Sequence, residues 1–90
     1  MINCRFIREV SHPDGDVTLI RAGMLPAIPQ YGTIIRFLEN LPMAVSHVVM
    51  DEGVCSYIEV HLGIDNTLYK ASRDKFNVYV NKLITKGWHS

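Results

Sequence analysis

A single α+β domain over residues 1–90, with a curved, mostly antiparallel meander sheet of about five strands and one C-terminal helix, follows from three observations. Short stretches of apolar residues at period two are separated by Pro, Gly, Asn and Asp. One later stretch repeats at the helical period behind a capping serine. Ninety residues are too few for two independent domains. The number and spacing of the strands suit a small SH3-like barrel as the closed form of such a sheet.

The elements follow in order. In the stretch Ile2–Val10, Ile2, Cys4, Phe6 and Val10 alternate with Asn3, Arg5 and Glu9, which is strand period. Ser11-His12-Pro13-Asp14-Gly15-Asp16 is a hairpin turn, because Pro fixes φ, Asp supplies an Asx bond and Gly tolerates φ > 0. Residues 17–23 form the second strand. Residues 24–32 hold two prolines and a glycine yet stay apolar, so they are a loop or edge excursion across an open end of the sheet. Residues 33–38 read as a buried strand and residues 39–42 as a turn. Residues 43–50 and 54–62 form a hairpin about Asp51-Glu52-Gly53.

If Met50 pairs with Val54, Ala44, Val48 and Met50 share the core face with Val54, Ile58, Val60 and Leu62, joined by Phe37. Met43, Val45, His47 and Val49 then face His61, Glu59, Tyr57 and Cys55 on the other side. That second face is too apolar to stand bare, so the C-terminal segment is expected to cover it. Residues 63–66 turn, and residues 67–71 form a short sixth strand. Ser72 caps a helix carrying Asp74 in its first turn, with Phe76, Tyr79, Val80, Leu83 and Ile84 on one face, Lys86 in its last turn and Gly87 beyond its end. Phe76, Val78 and Val80 also alternate as a strand would; length and capping favour the helix.

Composition narrows the function classes. With 48% apolar and 20% charged residues, the chain is globular rather than disordered. A folded surface of roughly 5,300 Å² against roughly 14,800 Å² unfolded gives one modest core without a staple. A formal net charge of zero disfavours attachment to nucleic acid or membrane by bulk charge. Arg5, Arg8 and Glu9 interrupt any signal-peptide core, and no run approaches a bilayer span, so a cytoplasmic chain without membrane contact is expected. Cys4 and Cys55 are then reduced thiols; neither belongs to a C-x-x-C pair, and no metal or cofactor is expected.

Four constellations carry potential chemistry. His47, Tyr57, Glu59 and His61 on the outer hairpin face combine imidazole, phenol and carboxylate, as proton transfer requires; a half-buried cross-strand cluster is the simpler reading. His12 to Asp16 places two carboxylates about a glycine, but lacks the further oxygens of a calcium loop and reads as a solvated turn. Residues 70–90 carry five basic residues and one acidic, a net of +4, against four basic and eight acidic, a net of −4, in residues 1–69. Arg73, Lys75, Lys82 and Lys86, with Trp88 at the helix end, form a basic stripe suited to a phosphate backbone or an acidic protein. The proline-stiffened stretch 25–31 either caps the core or contacts a partner at little entropic cost.

There is no Gly-rich phosphate loop, G-x-S-x-G elbow or His-x-x-x-His pair. The expected function is a non-catalytic binding module acting through protein–protein contacts as a homodimer, using Leu25, Ile28, Tyr31, Met43, Val45 and Tyr57. Nucleic-acid binding through the basic helix is the rival. A small enzyme or ligand-binding protein using the His47, Tyr57, Glu59 and His61 face is third.

Overall fold

The computed structural model describes residues 1–37, 42–53 and 56–90. Alternation of apolar and polar residues produces β1 (Ile2–Val10), which pairs antiparallel with β2 (Val17–Leu25) through the turn at residues 11–16. β3 is only Ile34–Ile35; β4 (Met43–Val49) and β5 (Ile58–Leu62) follow, then α1 (Arg73–Thr85). The sheet order is β2-β1-β5-β4-β3. The α+β expectation holds, as a five-strand curled mixed sheet forming a half-barrel with one C-terminal helix.

Most pairings are antiparallel, but the meander is interrupted at its centre, where β1 and β5 run parallel. The two sheet halves, β1–β2 and β3–β4–β5, meet along that seam. The molecule measures 43 × 22 × 22 Å and exposes 6036 Å², more than the roughly 5,300 Å² of a compact chain this size. Residues 67–71 form turns rather than a sixth strand. The strand expected over residues 33–38 shortens to β3, with Ile34 exposed, while Leu38 and the start of the following turn lie outside the described residues.

The β4–β5 register corrects the expected faces. His47 pairs with His61, not Tyr57, because the connection runs from Met50 to Tyr57 and displaces the register by four positions. That displacement is even, so Val48 still faces inward beside Val60. A bulge between Val45 and His47 then reverses the alternation, turning Val45 into the core and Ala44 out. Val45 is therefore not an outward contact residue. Cys55 and Val54 lie outside the described residues.

The helix covers the concave core face, not the outer hairpin face. Phe76, Val80 and Leu83 pack with Phe6, Val10, Leu19, Val45, Val60 and Leu62. Tyr79 is half-buried, and Ile84, expected on the packed face, is exposed. The Ser72 hydroxyl accepts from the Lys75 N–H. At the other end Gly87 takes φ +99°, a left-handed conformation suited to glycine. Its N–H donates to the Ile84 carbonyl and the Trp88 N–H to the Leu83 carbonyl, a Schellman closure that carries Trp88 into the core beside Leu83. His89 then bonds both ways with Ile20 on the edge of β2.

Of the expected core, Val60 is inaccessible, Val48, Ile58 and Phe37 are half-buried against it, and Met50, which lies just beyond the end of β4, is exposed. Leu83→Ala is expected to destabilise by about 2–5 kcal/mol through transfer and cavity terms. Val78→Ala, on the exposed helix side, should change stability by less than about 0.5 kcal/mol. Urea denaturation of the two variants checks which helix face is packed.

Candidate functional site

Three regions hold the residues with chemical or binding character. The first is the outer face of β1, β5 and β4. Arg5 opposes Glu59 and Ile7 opposes His61 across the parallel seam. The His47 and His61 rings stack at 4.2 Å, and His61 Nε2 lies 3.2 Å from Glu59 Oε1. Ser46 Oγ lies 3.2 Å from His47 Nδ1. Tyr57 is not part of this group; it sits beneath the Arg5 guanidinium, 4.1 Å from its ring centre. The structure thus brings His47, Glu59 and His61 together and sets Tyr57 apart from them, beneath Arg5. Among the described residues no group of three or more His, Cys, Asp or Glu is placed to hold a metal ion.

The second is a buried polar network. Arg8 occupies a core position of β1, between Phe6 and Val10, and is almost wholly inaccessible. Its Nη2 donates to Asp65 Oδ2 at 2.7 Å and its Nε to the same oxygen at 3.2 Å. The Tyr79 hydroxyl donates to Asp65 Oδ2 at 2.6 Å and accepts from Arg8 Nη2 at 2.8 Å. The Thr67 hydroxyl and N–H both donate to Oδ1. Arg8 Nη1 is buried without a hydrogen-bond acceptor, and the guanidinium carbon lies 5.4 Å from the Trp88 ring centre. The aromatic face offsets part of the missing acceptor.

Burial alone would raise the Asp65 carboxyl, but the bonds from Thr67, Tyr79 and Arg8 outweigh it and hold the group below the usual carboxylate range. Burial, reinforced by donation to Asp65, pushes the Tyr79 phenol up. The Arg8 and Asp65 charges offset each other, and Tyr79 ties the helix to the sheet at the same carboxylate. Sequence reasoning missed this network, although Arg8 stood in the apolar register of the first strand, where a cation requires a carboxylate.

The turn beginning at His12 is structural. The His12 ring is buried against Phe76, with centroids 4.7 Å apart. Its Nδ1 accepts from the Asp14 N–H, and its Nε2 lies 3.1 Å from the Ala71 carbonyl, which fits the Nε2–H tautomer. Asp16 Oδ1 accepts from the His12 N–H, and Asp14 faces Arg73 at 3.8 Å. Burial raises the Cys4 thiol, which makes it a poor nucleophile.

The third region is the stretch from Leu25 to Ile35. Ile28 is 47%, Tyr31 87% and Ile34 57% exposed, so these side chains do not cap the core. Ile28 and Ile34, but not Tyr31, line a cavity of about 370 Å³ together with Leu25, Pro29 and Ile35 among others. The loop is held in place: Thr33 N–H donates to the Gln30 carbonyl, Gln30 N–H to Thr33 Oγ1, and Gly32 N–H to the Val45 carbonyl. Leu25 and Met43, expected on the contact surface, are half-buried against the core.

On the helix, Arg73, Lys75, Lys82 and Lys86 are exposed. Trp88 is not at the end of that stripe, since it is 1% exposed inside the core. No helix of the described residues is long and apolar enough to cross a membrane. No protein-family model, curated protein or solved structure matches the chain.

The buried network makes stability pH-dependent at both extremes. A lowered carboxyl stabilises fully above its unfolded value of about 4 and loses that contribution as pH falls through its lower folded value. A raised phenol stabilises fully below about 10 and loses its contribution as pH rises through its higher folded value. Denaturant titrations across pH should show both limbs, with Asp65→Asn flattening the acid one and Tyr79→Phe the alkaline one. Asp65→Ala, which leaves Arg8 buried without its counter-ion, should lose about 3–5 kcal/mol at neutral pH.

Proposed function

We propose that this chain is a non-catalytic binding module that acts through protein–protein contacts, with a second copy of itself as the expected partner. The observation that carries the reading is the exposure of three large apolar side chains, Ile28 and Tyr31 on the loop and Ile34 on β3, in a stretch fixed by hydrogen bonds within the loop and to Val45. Such a surface loses little conformational entropy on association, and a large aromatic at its tip is a typical anchor. The outer His47, Glu59 and His61 group and the buried Arg8 network lend no comparable support to catalysis, the one being a partly exposed sheet cluster and the other an Arg8–Asp65 pair whose charges offset each other.

Sedimentation equilibrium from micromolar to millimolar concentration should give a mass rising toward twice the monomer. Tyr31→Asp combined with Ile34→Asp should hold the protein at the monomer mass. A wild-type chain that stays monomeric throughout would refute self-association.

The rival reading rests on Lys75, Lys82 and Lys86, which the helical spacing of seven and four residues puts on one exposed stripe. With about three phosphate contacts, binding would weaken with a log–log salt slope of roughly −3. The binding-module reading expects no gel shift of duplex or single-stranded DNA at low salt. A shift abolished by the Lys75, Lys82 and Lys86→Ala triple variant would decide for the rival.

A further inference from the structure

The half-barrel leaves β2 at the edge of the sheet. The N–H and carbonyl of Ile20 both point away from β1, since they bond to His89. Strand alternation without a bulge gives Ala22 and Met24 the same outward direction, and no hydrogen bond occupies their backbone groups among the described residues. Beyond this open stretch lies a groove of about 250 Å³ bounded on its far side by Ile35, Arg36 and Phe37.

The groove has a built floor. The Phe6 and Phe37 rings meet edge to face at 5.2 Å, and the Phe6 ring fills the space beside Gly23, where a Cβ would come within 2.7 Å of Cε2. Its ionisable lining is cationic, Arg21 and Arg36, with no acid among the described residues. Arg21 lies over the Phe37 and Trp88 rings, whereas Arg36 is exposed beside the groove.

We propose that the open β2 edge at Ala22 and Met24 accepts an extended acidic peptide segment as an added strand, lying between β2 and Ile35–Phe37. The proposal rests on the reading of the chain as a protein-contact module. Backbone bonding supplies register, as in other strand additions. Period-two alternation directs every second side chain of the guest inward onto the Phe6 and Phe37 rings, where small apolar residues suit the shallow floor. The intervening side chains face outward beside Arg36, where carboxylates are complementary. A second copy's β2 is the poorer guest, because it contains no acidic residue to complement Arg36.

The test uses the full chain with a labelled octapeptide alternating Glu and Val, and its Lys and Val counterpart. The Glu peptide should bind in anisotropy titrations and slow amide exchange at Ala22 and Met24. Ala22→Pro removes a donor that lies outside the β1 ladder and should weaken binding by about tenfold or more with unchanged circular dichroism. Met24→Pro serves the same purpose if Ala22→Pro unfolds. Arg36→Glu should weaken the Glu peptide and favour the Lys peptide.

Failure of the Glu peptide to bind at millimolar concentration, or binding unaffected by either proline, overturns the proposal. So does concentration-dependent protection of Ala22 and Met24 without peptide, which would assign the edge to a second copy. If self-association through Tyr31 and Ile34 persists while the peptide fails, strand addition alone is refuted. If both fail, the contact-module reading falls with it.

Discussion

A guanidinium enclosed in a hydrophobic core must be neutralised where it stands, and the contact between Arg8 and Asp65 meets that demand. Asp65 follows β5, and its backbone continues the parallel seam by bonding to Glu9 and Ser11. Tyr79 brings the helix to the same carboxylate, and Trp88 lays the chain beyond the helix against the guanidinium. Three separated segments thus meet at one carboxylate, with Trp88 laid against the guanidinium that pairs with it. An apolar substitute of equal volume could fill the space, but it would not select one register of β5 against β1 or one rotation of the helix. The value of such a pair lies in that selection more than in net stability.

The same seam explains the polarity of the two sheet faces. Parallel pairing places Cys4 and Phe6 beside Ile58 and Val60 on the concave side, leaving Arg5 and Ile7 beside Glu59 and His61 on the convex side. The helix, tethered through Tyr79, lies over the concave side. The convex side manages its half-apolar character by pairing within itself, with imidazole on imidazole and guanidinium over phenol.

Much of this was legible from residue order. β1 has its expected limits, the Ser72 cap and Gly87 fix the helix, and the spacing of Phe76, Val80 and Leu83 identifies its buried face. The faces of β4 were not legible, because a single bulge at Ser46 reverses a period-two pattern without leaving a compositional mark. Trp88 was misplaced outside the core, although the glycine before it implies the Schellman turn that folds it back. Tyr31 and Ile28 were recognisable because prolines stiffen their stretch, but whether they faced inward depended on β3 being two residues long. The open β2 edge depended on long-range topology, which local spacing does not encode.

The parallel seam also orders events in time. β1 and β2 form a local hairpin, as do β4 and β5, and either can close within microseconds. Joining β1 to β5 must instead close a loop of about fifty residues, an entropic step taken before any of its contacts reward it. Until Asp65 arrives, Arg8 has no counter-ion, so the apolar strip of β1 carries a hydrated cation in its middle. A hydrated charge at that place opposes dry stacking of the β1–β2 apolar face on another chain, and in the folded protein Asp65 offsets it.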